Sequence, residues 1–80
     1  MDRADLNQQL TLASYHITLG EAHIARQRAI IAKLERGGHE TAQATELLKT
    51  VQKTMALHIA DHDRVVKELA VTRFGKRAAN

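Results

Sequence analysis

There is no cysteine, no proline and no tryptophan in this chain of 80 residues, and one tyrosine and one phenylalanine are its only aromatics. Each absence excludes something. Without cysteine no disulfide can brace the fold and no thiol can act as nucleophile, which fits a reducing compartment. Without proline no position is barred from a helix by a missing backbone N–H. With Tyr15 and Phe74 as the whole aromatic complement, any core must be aliphatic and interdigitated. No apolar run approaches the roughly twenty residues of a membrane span. The opening Met1-Asp2-Arg3-Ala4-Asp5 lacks the basic start and apolar block of a secretory signal. A cytoplasmic location without membrane contact is the expectation.

Catalytic motifs are missing too. There is no glycine-rich phosphate loop and no H-E-x-x-H. Ser14 and His16, two residues apart on a helix, point in different directions, and so do Asp61 and Asp63. No enzymatic activity is expected.

Glycine is also scarce, and its placement organises the chain. Two of the four glycines stand together in Arg36-Gly37-Gly38-His39-Glu40-Thr41, near the middle of the sequence. Gly37 is expected to end a helix in the left-handed conformation, Gly38 to let the chain reverse, and the Thr41 hydroxyl to cap the next helix. The spacing predicts one domain spanning 1–80: a helix over about 3–36, a turn over 37–41, a second helix over about 42–73 that Gly75 is expected to end, and a short basic tail at 74–80. Asp2 is placed to cap the first helix, with Asp5 in its first turn.

What is abundant is heptad spacing. Leu6, Leu10, Ala13, Ile17, Gly20, Ile24, Gln27, Ile31 and Leu34 recur in alternating steps of four and three. A second seam of the same kind reads Ala44, Leu48, Val51, Met55, His58, His62, Val65, Leu69 and Thr72. The fold class is therefore all-α, an antiparallel hairpin of coiled-coil character. Folded symmetrically about the turn, the seams bring Gln27 to Val51, Ile24 to Met55, Gly20 to His58 and Ile17 to His62.

Two helices of this length cannot enclose a deep core, and small scaffolds without disulfides need a metal or a partner chain. Leu12 and Leu19 flank the first seam, Ile59 and Val66 the second, and a lone hairpin would leave all four wet. Full burial of an aliphatic side chain contributes roughly 1.5–3 kcal/mol. A second copy packed on Leu12, Leu19, Ile59 and Val66 is expected, giving a homodimeric four-helix bundle that meets some protein partner.

Five histidines are a high count for the length. In the symmetric fold His16, His23, His58 and His62 gather at one height, with Glu21 and Asp61 near by, so zinc or another divalent ion is a candidate ligand. The H-x-x-x-H spacing of His58 and His62 is a weak motif alone. Ordinary interfacial histidines, bonded to a backbone, a carboxylate or water, are the leading reading and leave the chain without a cofactor. His39, in the turn, is expected to face solvent.

The net charge of +3 is modest. Arg26, Lys33 and Arg36 make a short basic strip, but Glu35 and Glu40 interrupt it and no aromatic is interleaved for stacking. Dimeric helical hairpins that bind RNA, typified by the plasmid copy-number regulator Rop, are similar in length and topology. That resemblance is architectural and carries over no RNA-contacting residue, so nucleic acid is not the expected partner. Gly38-His39-Glu40-Thr41, Ala44, Leu47-Leu48, His58 and His62-Asp63-Arg64, with Ile24 to Arg28 and Ile31-Ala32 before them, resemble a group of small bacterial helical-hairpin proteins. The likeness spans about residues 23–69. It implies the hairpin fold and, because the group has no assigned activity, no functional residue.

Overall fold

A computed structural model describes the backbone of residues 2–79 and the side chains of residues 2–72. Two helices follow one another, α1 over Arg3–Arg36 and α2 over Ala42–Ala79, and they pack side by side. α1 begins where a carboxylate can satisfy its free N–H groups. Asp2 is extended (φ −80°, ψ 170°) and its Oδ1 accepts from the Asp5 N–H at 2.9 Å. Lys33 and Arg36 occupy the last turn, where the helix dipole favours cations.

The turn exchanges the roles expected of its glycines. Gly37 remains right-handed, at φ −84° and ψ −1°, and Gly38 takes the left-handed conformation at φ 72°. The Gly38 N–H donates to the Glu35 carbonyl at 3.0 Å and the His39 N–H to the Leu34 carbonyl at 2.9 Å. These two bonds form a Schellman motif. It places the left-handed residue one position beyond the last right-handed one, which is why Gly38 carries the reversal. Thr41 acts through its backbone: its carbonyl accepts from the Thr45 N–H at 2.8 Å. The side-chain bond to the start of α2 comes instead from Glu40, whose Oε1 accepts from the Ala42 N–H at 3.4 Å. His39 is exposed, as expected.

α2 continues as helix through Gly75 to Ala79. Gly75 is thus not a helix stop. A glycine inside a helix costs about 1 kcal/mol relative to alanine, which disfavours helix without forbidding it. The side chains of the basic segment from Arg73 onward lie outside the described residues.

Both heptad seams face inward. Among the described residues, those buried are Leu6, Ala13 and Gln27 from α1 and Val51, Met55 and Val65 from α2, and every other seam position is half-buried. Their axial pairing differs from the symmetric fold by about one turn. Gly20 lies against Met55, where a Cβ would sit 3.0 Å from the thioether methyl, instead of against His58. The buried Gln27 donates from Nε2 to the Ala44 carbonyl at 2.9 Å, one turn from the Thr41 cap, instead of facing Val51. Residues 39–41, between the Schellman turn and α2, let α2 start alongside the last turns of α1. The Gln27 amide then holds that register, because a buried amide must find a partner.

The result is a rod of 66 × 15 × 14 Å with a Cα radius of gyration of 18.4 Å. A compact chain of this length would have a radius of about 12 Å. No described helix is long and apolar enough to cross a membrane.

Candidate functional site

The seam divides the hairpin surface into two flanks, and the chemistry gathers on one of them. His58 belongs to the seam of α2. His16 stands beside the seam of α1, at the height that the slipped register brings to His58. Their rings meet with centroids 5.0 Å apart and planes inclined at 34°. The Tyr15 and His16 ring centroids are 6.1 Å apart. The His16–His58 pair closes one end of a groove of about 380 Å³. Leu19, His23, Leu47, Thr50 and Thr54 form its walls, with Gly20, Val51 and Met55 at its base.

The groove is less polar than its residue types suggest. The Thr54 hydroxyl donates to the Thr50 carbonyl at 3.1 Å, and the Thr50 hydroxyl to the Glu46 carbonyl at 3.2 Å. Both are satisfied within their own helix. The imidazoles of His16, His23 and His58 are the polar groups left to meet a ligand.

Of the four histidines expected to cluster, the fold brings His16 and His58 together and sets His23 on the same groove, one heptad along α1. His62 is not among them: its Nδ1 lies 3.3 Å from Asp63 Oδ1. Asp61 is engaged elsewhere as well, accepting from Arg64 Nη2 at 2.9 Å. Among the described residues, no three histidine, aspartate or glutamate side chains converge on a common point. The register slip explains this, since it moves His58 level with His16 and carries His62 beyond the pair.

Toward the open end of the hairpin, Arg64 ties charges together. It pairs with Asp61, with Glu68 at 3.0 Å through Nη1, and with Gln9 of α1 at 3.2 Å through Nη2. The hydrogen bond to Asp61, then that to Glu68, holds the guanidinium pKa above its ordinary value. The i−3 and i+4 spacings around Arg64 were visible in the sequence; the reach to Gln9 required the fold. The Gln27 bond was signalled too, by an amide standing at a heptad core position.

Among the described residues, nine large apolar ones are well exposed, from Ile30 at 43% to Leu57 at 70%. They divide unevenly between the flanks. Leu12, Leu19 and Ile30 of α1 share the groove flank with Leu47 of α2, and Leu57 and Val71 follow Thr50 at heptad spacing along the same side. Ile59 and Val66 lie about 120° around α2 from Leu47 and Thr54, on the opposite flank. The four residues expected to form one dimer surface are therefore split, Leu12 and Leu19 on one side and Ile59 and Val66 on the other. On a helix, spacing of three or four about a seam marks nearness to it; the side depends on direction around the axis. Compared with known proteins, this chain matches no protein-family model, no curated protein and no solved structure.

Proposed function

We propose that the hairpin is half of a homodimeric four-helix bundle and that the bundle serves as a non-catalytic interaction module. The observation that carries this reading is accessible area. The chain exposes 6114 Å² at 8.9 kDa. A compact monomer of that mass exposes about 4,800 Å². The excess, roughly 1,300 Å², is above the ~800 Å² per partner of a standard interface and within the range of permanent dimers. A rod with an aliphatic seam and wet leucines beside it stabilises itself most economically by pairing with a second rod.

Sedimentation equilibrium at micromolar concentration tests this. A dimer is expected, and Leu19→Asp should weaken it at least about tenfold by leaving a carboxylate in an apolar contact. A wild-type chain that unfolds cooperatively as a monomer refutes the reading.

A second reading rests on the His16–His58 pair. Two imidazoles on one tetrahedral zinc, with Zn–N near 2.0–2.1 Å, have ring centres about 5 Å apart. The observed 5.0 Å suits such a pair, and His23 or a second copy would supply the remaining ligands. This reading ranks second because one chain brings two imidazoles together and a closed site requires more.

A further inference from the structure

We infer that the second copy docks on the groove flank, with Leu19 and Leu47 at the centre of the contact, and that the flank bearing Ile59 and Val66 stays in solvent. This deepens the dimer reading above and rests on it. Three observations distinguish the flanks.

The first is the distribution of uncovered apolar surface. Six of the nine exposed large apolar residues, namely Leu12, Leu19, Ile30, Leu47, Leu57 and Val71, belong to the groove flank, and both helices contribute. The opposite flank has Ile59 and Val66, both from α2. A four-helix bundle needs an apolar strip on each helix next to its seam, because each helix packs against two neighbours. Only the groove flank supplies that strip on both.

The second is the cost of burying what lies beside the strip. On the opposite flank α1 carries Ser14, Glu21 and Arg28, all exposed. Docking there would take a carboxylate and a guanidinium from water without a partner held in place. On the groove flank the α1 positions next to the seam are Gln9, His16, His23 and Ile30, with no carboxylate, lysine or arginine among them. Arg26 and Lys33, seven and fourteen residues after Leu19, stand farther round, and the charges toward the open end are joined through Arg64, Asp61 and Glu68, so all of these suit the rim of an interface. Thr50 and Thr54 have their hydroxyls engaged with their own helix, so covering them leaves no donor unmet.

The third is shape. The groove of about 380 Å³ opens between Leu19 and Leu47, over a floor where Gly20 makes room for the Met55 thioether. A leucine from a facing helix fits such a depression as a knob in a hole. Under a two-fold operation each hairpin supplies both groove and knobs, which makes the surface self-complementary. A second copy is the occupant that also accounts for the area: the roughly 1,300 Å² excess per chain, doubled across a two-fold contact, falls in the range of obligate homodimers.

The test compares Leu47→Asp with Ile59→Asp by sedimentation equilibrium, with helicity followed by circular dichroism on the same samples. Leu47→Asp should raise the dimer dissociation constant at least about tenfold, and Ile59→Asp should change it less than about threefold. The reverse order, with the wild type still dimeric, overturns the flank assignment and leaves the dimer standing. A monomeric wild type overturns both. Should Leu47→Asp fail to fold, maleimide labelling of Leu47→Cys and Ile59→Cys decides in this cysteine-free chain. Leu47→Cys should become at least about tenfold slower to label above the dimerisation concentration while Ile59→Cys stays unchanged, and protection of Ile59→Cys alone would sink the assignment.

Discussion

Replacing Gly38 by alanine isolates the conformational contribution of one residue to the hairpin turn. Gly38 is left-handed at φ 72°, and a Cβ built there meets no heavy atom within 4 Å, so the substitution introduces strain without a clash. The left-handed conformation costs an L-residue about 1–2 kcal/mol. Loss of unfolded-state freedom offsets about 0.4–1 kcal/mol of that, leaving a net cost near 1 kcal/mol. With about 2.1 cal/mol/K of unfolding entropy per residue, an 80-residue chain should melt roughly 6 °C lower. Gly37→Ala is the control. Its backbone is right-handed, and the 2.7 Å approach of the new Cβ is to Cδ2 of His39, an exposed ring that can swing aside. The gain in helix propensity opposes that shift, so the change should stay within about 0.5 kcal/mol, or about 3 °C. Both melts are read by circular dichroism at one fixed protein concentration, since association would otherwise move the midpoint. A Gly37→Ala variant that melts as low as Gly38→Ala, or lower, would refute the assignment of the reversal to Gly38.

Two further outcomes are expected. Gln27→Ala should cost about 2 kcal/mol in denaturant unfolding, about 1 for the lost bond to Ala44 and the rest for the cavity. Gln27→Leu should recover most of that, and a silent Gln27→Ala would mean the amide does not hold the register. If the histidine pair binds a divalent ion, zinc at a hundred times its dissociation constant should add about 2.7 kcal/mol of stability. His58→Ala should abolish that gain and His62→Ala leave it intact, and melting indifferent to zinc and chelator dismisses the metal reading.

Much of the hairpin was legible in the sequence because its causes are local. Asp2 caps α1 through its own side chain and the Asp5 N–H three residues on, a geometry fixed within one turn. The glycine pair marks the reversal because glycine tolerates the left-handed conformation and nowhere else in the chain do two stand together. The seams follow from helical periodicity alone, and the six residues buried among those described all fall on them.

The tertiary structure decided what periodicity leaves degenerate. A heptad seam looks the same after sliding by one turn, so apolar spacing could not choose between Gly20 against His58 and Gly20 against Met55. The path of residues 37–41 and the bond from Gln27 to the Ala44 carbonyl made that choice. The slip then determined which imidazoles meet, pairing His16 with His58 and leaving His62 to Asp63. It was the packed pair of helices, too, that separated the flanks and parted Leu12 and Leu19 from Ile59 and Val66. Helices and seam thus belong to interactions within a few residues along the chain; register, histidine pairing and the uncovered flank belong to contacts between residues tens of positions apart.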